Sequence, residues 1–506
     1  MSQKQAAPAI ASTLPSMNLL SLPTEVLDEI ATFLRRSALC ALALTCKKTY
    51  HSATEVLYET YVNYTAPAKA PFYLFLRTLC ERPDLAARVK RVDVRGWRSE
   101  YEVATGVAWK DLRGKGAIDR VERHGPSFSS TEKAVRGSST ERSKLFLGAA
   151  VKAGLIAKPA SLSVPALKSS IIWYSTLRED DDLIRLLVRG VEDAHVVLML
   201  ALLPNLDDLF IRGLSPFPLL DWHKFLSRCT TVALQRLSEF GIEGCIKTIY
   251  SPIVKNSLQV LDMMPSLQKF RMFNVAIGGH SLASHQALPS RKLKTVVFGH
   301  CGLSARFLQK LVHGQRLHEF AYVPDHAHSI EITGAYLTSN DILMSLASSK
   351  TTLEKLALYP WKSDEGPSLL RFEKLKDLEM PQPGVLSMPA DELDPEVIKA
   401  LLLEQIPPTM ATIHLRYMTY NQQTKMILEQ LVQLKTEGVL QVLKNVRLHF
   451  LKSVLPIGEV VIGLLMGTMS APGIDQLAPR DRAELEKMFG GAGIALQVYH
   501  SELCHA

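Results

Sequence analysis

Between Leu19 and Tyr50 the apolar positions first recur at helical spacing and then run together. Projected at 100° per residue, Val26, Leu27, Ile30, Ala31, Phe33 and Leu34 fall within an arc of about 160°, and polar residues fill the remainder. The spacing predicts an amphipathic helix over 24–35, entered at Pro23 with Glu25 near its positive end. Arg35-Arg36 closes it and Ser37 is placed to cap the next. That second helix, Ala38 to Leu44, is apolar all the way round, so it needs cover from every side. A third helix from about Lys47 to Leu57 offers Tyr50, Ala53, Val56 and Leu57 on one face. Three short helices are close to the size below which a fold rarely stands alone, and two neighbours cannot enclose a wholly apolar third. Either later residues of the chain cover the middle helix, or another protein does.

Beyond residue 72 the period changes. A helix is expected at about 73–81, and Val89-x-x-Val92-x-Val94 then reads as a short strand. The same L-x-x-L-x-L spacing returns from Leu206, Leu267, Leu293, Leu317, Leu353, Leu375, Met410 and Leu443. Helix-like runs lie between several of these: DAHVVLMLALL, LTSNDILMSLASS and NQQTKMILEQLVQL. From Leu206 onward the intervals range from the low twenties to about sixty residues, wider than a regular leucine-rich repeat allows. One unit continues further, to Cys301-x-Leu303, with the cysteine where a residue ties the turn after the strand. A compact α/β domain with the same local pattern is the alternative architecture.

Leu22-Pro23-x-Glu25-Val26-Leu27-x-x-Ile30-x-x-x-Leu34, followed by Leu39-x-x-Leu42-x-x-Thr45-Cys46-Lys47, resembles the F-box. This is a three-helix module that docks on the Skp-type adaptor of cullin–RING ubiquitin ligases. The likeness covers residues 18–58, and it departs at Tyr50, where many members carry Trp. It implies that Leu22, Pro23, Val26, Ile30, Leu34, Leu39 and Leu42 line the adaptor interface. The strand-and-helix units resemble an irregular leucine-rich-repeat solenoid of the kind often attached to an F-box. The expected fold class is therefore α + α/β. Its parts are a disordered tail at 1–17, an F-box at 18–60, a linker at 61–72, and a repeat-like substrate-binding region at 73–506 with a basic loop at about 110–145. The resemblance implies a non-catalytic substrate-recognition subunit of an SCF-type ligase, working inside the cell in cytoplasm or nucleus. A Skp-type adaptor and a protein target would be its partners.

Charge and chemistry alter this picture little. The net charge of +8 invites a nucleic-acid reading, but residues 113–144 carry eight Lys/Arg against four Asp/Glu, half of the excess, in a Gly/Ser-rich stretch. A solvated loop accounts for it without nucleic acid. Seven scattered cysteines with no CxxC pair and no secretory leader fit a reduced compartment. The apolar stretch 453–474 is broken by Pro456, Gly458, Gly463 and Gly467, so a buried core segment is expected and not a membrane span. Gly279-His280-Ser281-Leu282-Ala283 approaches a nucleophile elbow, the remote alternative being a serine hydrolase using Ser281. Arg271 and Asn274 before it and Pro289 after it argue for a plain loop serine. His326-x-His328 is half a zinc site without the other half, and Glu179–Asp182 reads as solvated charge. No catalytic residue, cofactor or metal is expected. An F-box scaffold acting outside a ligase is the nearer alternative.

Overall fold

The computed structural model of the chain describes residues 19–63, 72–95, 140–157, 183–184, 186–188, 192–212, 226, 228, 233–243, 261–277, 292–324, 337–359, 368–381, 394–418, 420, 422–452 and 477–502. The expected tail, most of the basic loop, Glu179–Asp182, Ser281, His326, His328 and the 453–474 stretch lie outside these residues. After a short turn at Leu19–Ser21 come α1 (Thr24–Thr32), α2 (Arg36–Ala43) and α3 (Lys47–Glu59). α1 stops earlier than its apolar arc suggested, because the Phe33 and Leu34 amides bond back to Ile30 and Ala31 three residues away and tighten the chain into a turn. α2 begins at Arg36, with Arg35 at the N-cap, so Ser37 lies within the first turn and does not cap it.

α3 runs directly into β1 (Thr60–Val62), which pairs in parallel with β2 (Arg91–Val94). The sheet thus starts at the last residue of the expected F-box span and runs into the segment expected to be a linker. Between these two strands lie α4 (Phe72–Glu81) and the single turn α5 (Pro83–Ala86). The helical unit is fastened to the sheet from both ends. Arg36 Nη2 donates to the Thr60 carbonyl at 2.8 Å. Arg88 and Lys90 pair with Glu55 and Glu59 of α3, each at 3.3 Å.

The chain continues through α6 (Thr140–Lys152), α7 (Glu192–Leu202), β3 (Asp208–Arg212), β4 (Glu239–Glu243), β5 (Lys269–Phe273) and the two-residue β6 (Ala276–Ile277). Next come β7 (Thr295–Leu303), α8 (Ala305–Val312), β8 (Glu319–Pro324), α9 (Ser339–Ser345), β9 (Lys355–Leu358) and β10 (Asp377–Pro381). The last elements are α10 (Pro395–Gln405), β11 (Thr412–Met418), α11 (Gln422–Thr436), β12 (Asn445–Lys452), α12 (Pro479–Gly491) and β13 (Ala495–Glu502). All the strand pairs are parallel, and apart from β6, which pairs only with β7, the strands lie side by side in chain order.

Parallel pairing in register puts the second and third apolar positions of each L-x-x-L-x-L unit into two continuous rows. One row runs Val92, Leu209, Phe240, Phe270, Val296, Phe320, Leu356, Leu378, Ile413, Val446 and Leu496. Side chains alternate across a strand, so both rows face the same way, and they share one core with Phe146, Leu198, Phe307, Ile342, Leu402, Leu431 and Phe489 of the helices. The first apolar position of each unit, Val89 through Leu443, is buried in the turn before its strand. There a single carbonyl accepts two amides of the following unit: Lys90 O from Asp207 and Asp208, Asp207 O from Ser238 and Glu239, and so on to Ala411 O from Lys444 and Asn445. Such pairing satisfies backbone groups that burial would otherwise strand.

At the centre, the Phe298 ring lies 6.1–6.4 Å from those of Phe270, Phe307 and Phe320. Cys301 is buried, and its Sγ donates to the carbonyls of Met272 and Gly299, each at 3.3 Å. It ties the irregularity that follows Phe298, where His300 adopts a left-handed φ of 52°.

His195 of α7 is enclosed by Phe146, 5.0 Å away edge-on, and Phe72, and neither ring nitrogen bonds a partner among the described residues. Burial, reinforced by the charge of Arg142, pushes its pKa down to about 3. The unfolded side chain, with a pKa near 6.5, then binds the proton that the folded one refuses. Stability is therefore complete above about pH 6.5 and falls with pH by about 1.4 kcal/mol per unit down to the folded pKa. Unfolding free energies from urea titrations at pH 7.5 and pH 5 are expected to differ by roughly 2 kcal/mol more in the native chain than in His195→Leu. Equal pH dependence in the two proteins would refute this account.

Candidate docking surfaces

The N-terminal helices enclose a small interior. Leu27 of α1 is fully buried, and Ala31, Leu39 and Ala53 from the three helices meet, with Leu34, Leu42, Ala43, Val56 and Leu57 packed around them. Hydrogen bonds hold the corners. Lys48 Nζ of α3 donates to the carbonyls of Leu20 and Leu22, at 2.9 and 2.6 Å. Thr45 and Thr49 both donate to the Leu42 carbonyl, at 2.8 and 3.0 Å, and fix the α2–α3 turn.

This interior uses only one side of the middle helix. Leu39, 3% exposed, is buried, while Ala38, Cys40 and Ala41 are exposed and Leu44 at the C-cap is 87% exposed. Among the described residues, none from later in the chain wraps it. Of the residues expected on the interface, Pro23 and Val26 are exposed, and Leu22, Ile30, Leu34 and Leu42 are half-buried. Leu39, by contrast, is packed with Ala31 and Ala53 inside the three-helix unit. Four residues outside the expected set, Leu19, Leu20, Phe33 and Leu44, present large apolar surface instead. Phe33 lies on the apolar arc, yet it is 81% exposed because it follows the last residue of α1 and its turn carries it off the helix face.

The sheet has a second side, facing away from the core shared with the helices. Across β2–β5 it carries charges that neutralise one another. Arg95 pairs with Asp93 and Glu243, at 2.8 and 3.0 Å, while Arg271 and Lys269 converge on Glu239. Burial lifts the Asp208 carboxyl above its usual range despite the cations nearby. Gly241 and Gly299 leave room for the rings of Phe210 and Phe273 to lie across them, where any Cβ would overlap the rings. Across β7–β9 the outward side chains toward the C-terminal ends of the strands become small, Val297, Ala321, Val323 and Ala357, none of them more than partly exposed, while Thr295, Glu319 and Lys355 stand in one row at the strand starts.

Beyond β9 the face becomes polar. Glu379 of β10 accepts from the Tyr359 hydroxyl and faces His414 Nδ1 at 3.3 Å and Arg416 Nε at 2.5 Å. Burial pulls its carboxyl upward, but hydrogen bonds from His414 and Tyr359 and the charge of Arg416 outweigh this and hold it below the usual carboxylate range. Arg447 Nε and the Tyr499 hydroxyl both donate to Gln497 Oε1, at 3.1 and 2.8 Å.

Among the described residues no group of three His, Cys, Asp or Glu side chains is gathered to hold a metal ion, and no helix is long and apolar enough to cross a membrane. His300, His313 and His318 are exposed and lie apart from the Glu379 cluster. No curated protein matches the chain at a significant level. Residues 19–58 match the family model of the F-box domain, and the N-terminal three-helix unit, with its half-covered middle helix, is an F-box.

Proposed function

We propose that the chain is a substrate-recognition subunit of an SCF-type cullin–RING ubiquitin ligase, gripping a Skp-type adaptor through its F-box and a target protein through the sheet region. The observation that carries this reading is the F-box match at 19–58 together with the apolar surface left open at Pro23, Val26, Phe33 and Leu44. On this reading the strand-and-helix units form an irregular leucine-rich-repeat solenoid. Support comes from parallel strands following one another in chain order, each burying its apolar rows against its neighbours. The chain contributes no catalytic side chain. It holds a target lysine close to ubiquitin carried by other subunits, which raises effective concentration. The continuous passage from α3 into β1 serves that task, because it leaves no free joint between the adaptor-binding helices and the target-binding sheet.

Val26→Asp places a charge where an apolar contact loses its water, at a cost of several kcal/mol. Capture of a Skp-type adaptor by the purified chain is expected to fall at least tenfold, with the melting temperature unchanged because Val26 is 40% exposed. Equal capture by both proteins would overturn the assignment. Recovery of adaptor without cullin would favour a scaffold outside a ligase.

A further inference from the structure

The helix-free side of the sheet divides into three zones: paired charges on β2–β5, small apolar side chains on β7–β9 beyond a starting row of Thr295, Glu319 and Lys355, and basic and neutral polar groups on β11–β13. The outward positions of the last three strands within the paired registers are Thr412, His414 and Arg416, then Asn445, Arg447 and His449, then Ala495, Gln497 and Tyr499. None is acidic. Glu379 on the neighbouring strand is already engaged by Tyr359, His414 and Arg416. Arg447 differs. It is exposed, and Gln497 accepts from its Nε, so among the described residues its two terminal nitrogens make no charge-assisted bond. Gln497 is itself braced by Tyr499, which orients the guanidinium before anything binds. A pre-oriented fork of this kind matches a carboxylate or phosphate oxygen pair.

The apolar zone supplies the other half of a recognition surface. Val297, Ala321, Val323 and Ala357 are short, whereas Phe273 on one side and Tyr359 on the other carry rings. Small side chains between rings leave a shallow trough that takes a bulky apolar side chain from outside. From β8 to β12 is four strand spacings of about 4.8 Å, or about 19 Å. An extended peptide advances roughly 3.3 Å per residue, so it covers that span in about six residues.

We propose that this side of the sheet binds an extended segment of a target protein in which a bulky apolar residue in the β7–β9 trough is followed or preceded, about six positions away, by an anionic side chain held by Arg447. This rests on the reading of the chain as a target receptor and gives the target its chemistry. The charge complement lies at one end of the sheet, since on β2–β5 the cations Arg95, Lys269 and Arg271 are already paired with Asp93, Glu243 and Glu239.

The test uses the full chain bound to a Skp-type adaptor and fluorescent fourteen-residue peptides containing one Phe and, six residues on in either direction, phosphoserine, glutamate or serine in an otherwise neutral sequence. Binding measured by anisotropy is expected to be at least tenfold tighter for an anionic peptide than for the serine peptide. Phosphoserine without glutamate would identify phosphate as the source of the charge, and both together an anion of either kind. Arg447→Glu should erase the preference, and Ala357→Phe, which fills the trough, should weaken every Phe-bearing peptide to the level of its Phe→Ser control. A preference that survives Arg447→Glu, or no preference in the native chain, would overturn the proposal. Adaptor capture is the separate readout. Arg447→Glu is expected to retain it, so peptide failure with adaptor capture intact removes this site and leaves the F-box reading standing.

Discussion

Leu39→Asp is expected to melt the F-box while the sheet stays folded. The side chain lies in a small apolar interior against the fully buried Ala31 and Ala53, which offers no partner for a carboxylate. An unpaired charge in such a place costs several kcal/mol, as much as a three-helix unit of this size can hold in reserve. Hydrogen exchange read by mass spectrometry should show peptides from 24–59 exchanging without protection and peptides from 295–324 as slow as in the native chain. Adaptor capture should vanish as well. The contrast with Val26→Asp is the informative part, because there capture is lost with exchange unchanged. Retained protection over 24–59 in Leu39→Asp would show that this interior is not what holds the helices together.

Phe298→Ala is expected to cost about 3–5 kcal/mol, the range for deleting a fully buried aromatic ring. Phe298 touches three other rings that come from β5, α8 and β8, so the void cannot close by moving one neighbour. Units fastened mainly to the units before and after them lose stability locally. Exchange should therefore accelerate across 269–273, 295–312 and 319–324, with little change over 24–59. A urea midpoint shift worth less than about 1 kcal/mol would mean that the site collapses around the missing ring.

The strands were legible in the sequence to the extent that their apolar pattern was complete. Every expected L-x-x-L-x-L segment lies on a strand of the sheet. β4 carries the same pattern as Leu237-x-x-Phe240-x-Ile242 and went unread, although nothing in its residues disguises it. β1 and β13 were hidden for a physical reason. Their equivalent positions are Tyr58, Tyr61 and Asn63 at one end and Gly493, Leu496 and Val498 at the other. Strands at the margins have one neighbour to satisfy and tolerate polar or small residues where inner strands cannot.

The F-box shows a different limit. Its apolar arc was readable, but periodicity does not say which apolar positions the protein's own helices consume, and on that account Leu39 lies inside the unit while Val26 stays exposed. The outward side of the sheet left no trace in the sequence at all. Tyr359, Glu379, His414 and Arg416 come from three strand segments and meet only because parallel pairing sets them side by side.

The shared carbonyls in the turns before the strands have an implication for how this protein can change. Lys90 receives the amides of Asp207 and Asp208, and β2 pairs with β3 from Arg91 to Val94, although the chain travels from residue 94 to residue 208 before it returns. The same connection joins Lys294 to His318 across a far shorter excursion. Register is thus set by what each turn does on arrival, with no dependence on how far the chain has wandered. New sequence can be spliced in after a strand, and old sequence lost, without asking the sheet to be rebuilt.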